Sequence, residues 1–254
     1  MNLAIKVTGI FFILIMSYFT LFTTDVNAGF EEGILPEFNL EASASFDVYN
    51  KYVWRGFTLD TDPVIQPGVN VSGYGFTLSY WGSYDASQDD TAGSDEQDFV
   101  IDYTYDSEYV SVSVGNTYYA FPTADTYSKE WYVGFSLPVL FSPSVTYYKD
   151  YGKEDQGGGD GTYLIFAVSH SITAFEQPKI TIDLGASVGF NDKLFIQGDG
   201  GDMTLTAGLT IPLTKSLSMS PMLGYVSPFG DLKDANDGNQ KKRTCGGVSI
   251  GCSF

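Results

Sequence analysis

The residues most suited to catalysis are Ser169, His170 and Ser171, which are consecutive, and His170 is the only histidine of the chain. A serine hydrolase needs its histidine within hydrogen-bonding distance of the nucleophilic hydroxyl. Adjacent side chains on a β-strand project to opposite faces, so neither serine can reach His170 along the strand. The sequence therefore predicts no catalytic residue and no enzyme.

Two acidic, glycine-rich stretches, residues 89–96 and 153–160, are candidates for cation binding. Clustered carboxylates bind Ca²⁺, but neither stretch has the twelve-residue spacing of a helix–loop–helix calcium site. Solvated loops are therefore the favoured interpretation, and binding of divalent cations stays an open alternative. Two cysteines and one histidine also do not complete a tetrahedral zinc site without carboxylates. We expect no metal site and no cofactor.

The composition of the chain narrows the class of protein. A net charge of −18 over 254 residues leaves no cationic surface for phosphate, which argues against nucleic acid as a partner. Charged residues make up only 17% and aromatic residues 16%, whereas a soluble domain has about 25% charged residues. Low charge with many aromatic residues is typical of strands that face lipid on one side and water on the other.

The first 28 residues have the pattern of a secretory signal peptide. Lys6 supplies a positive charge, and a long apolar run follows from residue 7 to residue 22. Val26 and Ala28 are small residues at the positions that signal peptidase requires, which predicts cleavage after Ala28. An uncleaved membrane helix is the alternative, but the apolar run is somewhat short for one.

Alternation of apolar and polar residues with a period of two runs through the remaining chain and is clearest at residues 40–55. Eleven similar segments follow, which makes twelve strands, an even number as in single-chain bacterial barrels. None of the apolar faces carries a charge, as hydrocarbon requires. We therefore predict an all-β protein with a transmembrane antiparallel up-and-down β-barrel over residues 29–254, in the bacterial outer membrane. Short links after the even strands predict that both chain ends are periplasmic.

The polar faces of these strands are predicted to line the interior. The charged pore-lining residues are Glu41, Asp47, Lys51, Arg55, Asp98, Asp102, Glu130 and Asp183. Six acids against two bases would concentrate cations at low salt. Alternatively, these groups satisfy one another and hold water in a closed barrel. Lys51 and Arg55 could pair across the lumen with Asp98, Asp102 or Glu130, in which case a structural role is favoured.

Aromatic residues cluster where the strands meet the longer links. We predict an outer aromatic girdle, at the level of the lipid headgroups, of Tyr52, Trp54, Tyr84, Phe99, Tyr118, Trp131, Tyr147, Phe190 and Tyr225. The alternative, that these rings form the core of a soluble sandwich, does not require them at one end of the strands. Phe254 is predicted to act as an assembly signal, because it resembles the carboxyl-terminal aromatic residue that the barrel assembly machinery recognises.

Three segments carry a resemblance to a known family: residues 52–57 (YVWRGF), 62–68 (DPVIQPG) and 75–82 (GFTLSYWG). They resemble the TorF-type family of proteobacterial porins, formerly a domain of unknown function. Its members show a similar aromatic-Arg-Gly turn, a Pro-x-x-Gln segment and a Trp-containing third strand. The resemblance implies an outer-membrane barrel with a pore role, but no substrate and no functional residues.

The function expected from these features is a porin-like channel for passive diffusion of small hydrophilic solutes. A twelve-stranded barrel lies between filled eight-stranded barrels and open sixteen-stranded porins, so the bore is expected to be narrow and mildly cation-preferring. Its partners would be outer-membrane lipid, the barrel assembly machinery and the solutes. The alternative is a closed outer-membrane barrel with a structural or surface-binding role.

Overall fold

The computed structural model describes residues 40–87, 95–154, 158–194, 196, 198–238 and 240–254. Fourteen strands and one helix lie in these ranges: β1 Glu41–Tyr49, β2 Tyr52–Trp54, β3 Phe57–Asp60, β4 Val64–Gly73, β5 Phe76–Asp85, β6 Glu96–Asp106, β7 Ser111–Phe121, β8 Thr126–Ser136, β9 Ser144–Asp150, β10 Thr162–Glu176, β11 Lys179–Asp192, β12 Asp199–Pro212, β13 Leu217–Gly230, α1 Asp231–Gly238 and β14 Arg243–Ser253. The predicted signal peptide, residues 1–28, lies outside the described residues. Among those residues, no helix is long and apolar enough to cross a membrane.

Twelve of the strands form one closed antiparallel barrel, as the alternation predicts. Each strand from β4 to β14 pairs with its neighbours in sequence, and β1 closes the ring between β14 and β4. Phe46 in β1, for example, pairs with Ile250 on one side and with Pro67 on the other. Closure leaves no edge strand, so the backbone hydrogen-bonding groups of the wall are satisfied within the sheet.

The outer surface of the barrel is apolar. Side chains of the predicted apolar faces, such as Leu78, Ile101, Leu205 and Leu223, are each exposed over half of their surface or more. Large apolar surfaces of this extent are costly in water and favourable in hydrocarbon. The polar residues between them face the interior, because neighbouring side chains of a strand alternate between the two faces.

The first alternating segment is not one strand, and this corrects the sequence analysis. β1 ends at Tyr49, and at Asn50 the chain makes two hydrogen bonds with Gly246 of β14, one through its backbone amide and one through its side chain. Residues 52–60 then form a separate two-stranded hairpin, β2–β3. The alternation continues through this hairpin because it too is a β-structure with one face packed against protein.

The connections at the two ends of the barrel differ. At one end, called here the short-turn end, the connections are residues 74–75, 107–110, 137–143, 177–178 and 213–216. The other end, called the long-loop end, carries the β2–β3 hairpin, residues 151–161 and α1 with its flanking residues. Two connections at the long-loop end are exceptions, since β7 and β8 are separated only by residues 122–125 and β11 and β12 only by residues 193–198.

The exposed position of Leu205 near the middle of β12 leads to a test of the apolar face. We expect Leu205→Arg to lower the free energy of unfolding in lipid vesicles by about 2–4 kcal/mol, the cost of an arginine at the bilayer midplane. Thr206→Arg, the matched control on the interior face of the same strand, should cost clearly less, because its guanidinium group can stay in the polar lumen. Urea unfolding followed by tryptophan fluorescence measures both. Equal losses would mean that Leu205 does not face lipid.

Candidate functional site

The β2–β3 hairpin turns through Arg55 and Gly56, which lie between the paired residues Trp54 and Phe57. Both have positive φ, +46° for Arg55 and +79° for Gly56, as a type I′ turn requires. Gly56 suits this turn, and a Cβ atom there would also collide with Asp202 and Leu232. A non-glycine residue at positive φ costs about 1–3 kcal/mol, so Arg55 must make contacts that offset this strain.

Arg55 offsets the strain through a buried ion pair with Glu130 of β8. Its Nη1 donates to Glu130 Oε1 at 2.7 Å and its Nη2 donates to Oε2 at 2.9 Å. The side chains are 11% and 1% exposed, respectively. A bidentate guanidinium–carboxylate pair is strong and geometrically specific. This pair fixes the tip of the hairpin to the inner wall of the barrel.

Aromatic rings surround the same guanidinium group. The Arg55 Cζ lies 4.0 Å from the ring centre of Tyr148, 4.7 Å from that of Tyr163 and 4.3 Å from that of Trp54. Tyr119 donates from its hydroxyl to Glu130 Oε2 at 2.8 Å. Cation–π contacts strengthen when the cation is shielded from water. We call Glu130, Tyr119, Tyr148 and Tyr163 the wall cage, because all four belong to barrel strands.

The wall cage is positioned by strand register. Tyr132, Tyr148 and Tyr163 occupy directly paired positions on β8, β9 and β10, so their rings form a row around the interior. Glycines make room for this row: a Cβ atom at Gly115 would overlap the ring of Tyr132, and one at Gly189 would overlap that of Tyr163. Carboxylates hold the two rings at the ends of this row: the Tyr132 hydroxyl donates to Asp102 and the Tyr163 hydroxyl donates to Asp202, each at 2.7 Å.

Two further contacts hold the hairpin inside the barrel. Tyr52 is buried, its ring packs 5.5 Å from that of Trp81, and its hydroxyl donates to Glu96 Oε2 at 2.9 Å. On the other strand, the backbone amide of Thr58 donates to the Oε1 of Gln240, a buried residue just beyond α1. The hairpin therefore contacts both the inner wall and the chain that covers the long-loop end.

Burial and charge fix the protonation of the hairpin side chains. Burial lowers the pKa of Arg55, but the Glu130 carboxylate and its neighbours more than compensate, so the pKa lies above its ordinary value. Burial raises the pKa of Tyr52 well above its ordinary value, and the Glu96 carboxylate adds to this. Arg55 thus stays cationic and Tyr52 stays a hydrogen-bond donor across the physiological range.

A cavity of about 480 Å³ lies in the lumen beside the hairpin tip. Trp54, Arg55 and three residues of the wall cage line one end of it. Ser113 and Thr146 line it near the short-turn ends of β7 and β9, which begin at residues 111 and 144. The cavity therefore extends from the hairpin toward the short-turn end, with hydroxyl groups and aromatic rings along its wall.

The predicted pore-lining residues fall into three groups. Arg55, Asp98, Asp102 and Glu130 lie at the hairpin or around the cavity. Asp183 lies elsewhere on the interior face, where it accepts hydrogen bonds from Ser171, Thr181 and Thr210. The structure does not bring the rest to the cavity: Glu41 is exposed near the short-turn end, Asp47 lies on β1 with Oδ1 buried, and Lys51 lies in the bend before β2.

Two of the nine predicted girdle residues are misplaced. Tyr52 and Trp54 lie inside the barrel, because the chain leaves the wall after Tyr49 and folds inward as a hairpin. The others lie on the outward-facing parity: Tyr84, Phe99, Tyr118, Trp131, Tyr147, Phe190 and Tyr225. Trp131 and Tyr147 lie at the middle of their strands, and the other five lie nearer the long-loop end. Several of these touch a neighbouring ring, as Trp131 does Tyr147 at 5.6 Å.

Three interior residues at the site, Glu96, Tyr163 and Asp202, are not among those predicted from the sequence. Each shares the interior parity of its strand: Glu96 lies two residues before Asp98, and Tyr163 and Asp202 directly precede the outward-facing Leu164 and Met203. Continuing the alternation one step further along each strand would have found them. The alternation does not predict that these three residues lie beside the hairpin.

The remaining candidates for chemistry stay apart. His170 packs against Phe141, with ring centres 5.4 Å apart, and Ser171 donates to Asp183 on the interior face instead. In the described part of the chain, no group of three or more His, Cys, Asp or Glu residues could hold a metal ion. Much of the two acidic stretches, residues 89–94 and 155–157, lies outside the described residues.

Phe254, the predicted assembly signal, is exposed, and its backbone amide donates to the carbonyl oxygen of Ala42 in β1 at 2.9 Å.

Comparison with known proteins gives the fold. No protein-family model matches the chain, and no curated protein matches it significantly, so the resemblance to the TorF-type family stays a prediction. The NanC porin superposes with a TM-score of 0.51 at 7% identity, covering 84% of this chain and 98% of the porin. LpxR from Salmonella typhimurium superposes with a TM-score of 0.50 at 11% identity, covering 84% of this chain and all of LpxR (100%). At such low identities the likeness shows a shared barrel fold alone.

The burial of Glu130 leads to a stability test. Glu130→Ala leaves the Arg55 guanidinium buried without its carboxylate, so we expect the free energy of unfolding to fall by about 3–5 kcal/mol. The matched control is Asp160→Ala, which removes the exposed ion pair between Lys149 and Asp160 and should cause no measurable change. Urea unfolding in vesicles measures both variants. A Glu130→Ala variant as stable as the parent would contradict the buried pair.

Proposed function

We propose that this chain is a bacterial outer-membrane porin-like channel that conducts small hydrophilic solutes and prefers cations. The observation that carries the proposal is a closed barrel with an apolar outer surface around a cavity that hydroxyl and charged side chains help to line. An apolar outside needs lipid, and a cavity lined with hydroxyl groups needs water or polar solute. Bacterial outer membranes are where single-chain barrels with an even number of antiparallel strands occur.

The location and partners follow from the same features. A cleaved signal peptide over residues 1–28 would direct export, and the barrel assembly machinery would insert the chain with the aid of Phe254. The aromatic residues on the outer surface near the long-loop end would lie among the lipid headgroups. The short turns would then be periplasmic and the hairpin would lie at the outer mouth. The TorF-type resemblance agrees with this arrangement.

Cation preference is supported by the charges around the cavity and hairpin. Glu96, Asp98, Asp102, Glu130 and Asp202 lie there with Arg55 as the basic residue. Arg55 pairs with Glu130, so acidic side chains outnumber basic ones here by four, and the ionised carboxylates among them make the lumen negative. A lumen of this sign attracts cations and repels anions.

A second candidate function is favoured by the hairpin itself. Because β2–β3 is held inside the barrel by Glu96, Glu130 and Gln240, the barrel could stay closed and serve a structural or surface-binding role. In either case we propose that it is not an enzyme, since His170 bonds to no serine in the described residues. Ion conductance separates a channel from a closed barrel.

Planar bilayer recording across a salt gradient tests the channel. We expect the purified protein to pass current with a reversal potential of the sign that cation selectivity gives. A variant with the hairpin removed should show a larger single-channel conductance, because the hairpin fills the outer mouth. Its design is direct: Tyr49 and Val64 are paired residues, so a two-residue Asn-Gly turn can replace residues 50–63.

Two outcomes would contradict the proposal in different ways. Absence of current from both proteins, once each is shown to be folded by its heat-dependent gel mobility, would favour the closed barrel. Current with the opposite reversal potential would overturn the cation preference and keep the channel.

A charge-neutralising variant tests the source of selectivity. Asp102→Asn keeps the shape of a side chain that accepts hydrogen bonds from Tyr132 and Thr104 but removes its charge. We expect the cation-to-anion permeability ratio to fall toward one. Asp160→Asn, on an exposed loop residue, is the matched control and should leave the ratio unchanged at physiological salt. If the two variants behave alike, selectivity arises elsewhere.

A further inference from the structure

The barrel wall surrounds the Arg55 guanidinium group as a binding site surrounds its ligand. Arg55 is supplied by the hairpin, whereas the groups that hold it are supplied by the barrel: Glu130 on β8, Tyr148 on β9 and Tyr163 on β10. The wall cage would therefore keep its shape if the hairpin withdrew, because strand register fixes its residues. Tyr119 and Asp202 also hold Glu130 and Tyr163 by hydrogen bonds that do not involve Arg55.

The wall cage is chemically specific for a planar cation. Glu130 presents both carboxylate oxygens side by side to two N–H groups, which is the geometry that a guanidinium matches and an ammonium does not. Tyr148 and Tyr163 present ring faces to the same group at 4.0 and 4.7 Å. When Arg55 is absent, Glu130 keeps the hydrogen bond from Tyr119 but loses its counter-charge, so a new cation would stabilise it. An empty cage thus favours a new cation.

A solute can reach the wall cage from within the barrel. The cavity of about 480 Å³ is lined by Arg55 itself and by Tyr119, Tyr148 and Tyr163. Its other lining residues include Thr117 and Thr146, whose hydroxyl groups can bond a polar solute. The acidic residues around the cavity would further concentrate cations near the cage.

We propose that the wall cage is a binding site for solutes that carry a guanidinium group, and that Arg55 occupies it as an internal ligand that such a solute replaces. The proposal deepens the proposed function and rests on it for the passage of the solute, although binding can be measured without conductance. A guanidinium solute in the cage would compete with the hairpin for Glu130. The hairpin then acts as a closure that this class of solute can displace.

The test removes the Arg55 side chain from the wall cage and adds a small guanidinium compound in its place. In Arg55→Ala, methylguanidinium chloride at millimolar concentration, with ionic strength held constant by NaCl, should raise the thermal unfolding temperature in detergent and reduce the single-channel current. Urea, a neutral molecule of the same planar shape, should do neither. Arg55→Gln, which retains part of the side-chain stem, carries the same test if Arg55→Ala does not fold.

The matched control removes the negative charge of Glu130. In Arg55→Ala combined with Glu130→Gln, the concentration of methylguanidinium needed for half of either effect should rise at least about tenfold, as the loss of charge-assisted hydrogen bonds predicts. A thermal shift that is the same for urea, or unchanged by Glu130→Gln, would overturn the site. Stabilisation without current in any variant would support the site and overturn the channel. Current without any methylguanidinium effect would overturn the site and keep the channel.

Discussion

The buried pair of Arg55 and Glu130 is the interaction on which the interior of this barrel depends. It places two opposite charges on side chains that are 11% and 1% exposed, and a lone charge at this degree of burial would be unstable. The pair therefore holds the hairpin against the wall and supports the positive φ of Arg55 at the turn. The cost of burying the two charges is further offset by the aromatic rings around the guanidinium group and by the hydrogen bond from the Tyr119 hydroxyl to the carboxylate.

The same pair connects the wall of the barrel with its function. Antiparallel strands with alternating faces make a wall that is apolar outside and polar inside, and closure removes every edge. Such a wall could surround an open bore. Here the chain leaves the wall between β1 and β4 and returns through the lumen as β2–β3. In the proposed channel, the wall would supply the passage, and the hairpin would determine how much of the passage is available and to which solutes.

The sequence predicted the barrel well because alternation with a period of two reports directly on which face a residue occupies. All twelve barrel strands lie where alternating segments were found. Alternation carries no information about whether a β-structure lies in the wall or in the lumen. It therefore predicts one continuous strand over residues 40–55, with Tyr52 and Trp54 facing lipid, whereas both residues lie inside the barrel. The Arg55–Glu130 contact joins residues 75 positions apart. The alternation allows Arg55 to pair with Asp98, Asp102 or Glu130, and only the folded structure shows that the partner is Glu130.

Hydrogen exchange of the hairpin amides, measured by mass spectrometry on the protein in lipid nanodiscs, tests most directly that β2–β3 is folded inside the barrel and held there by Glu130. Residues 52–60 should exchange slowly in the parent protein, because they are paired and shielded. In Glu130→Gln the same residues should exchange much faster, while a barrel strand such as β11 stays protected. Exchange of residues 52–60 in the parent protein as fast as that of exposed loops would contradict the account.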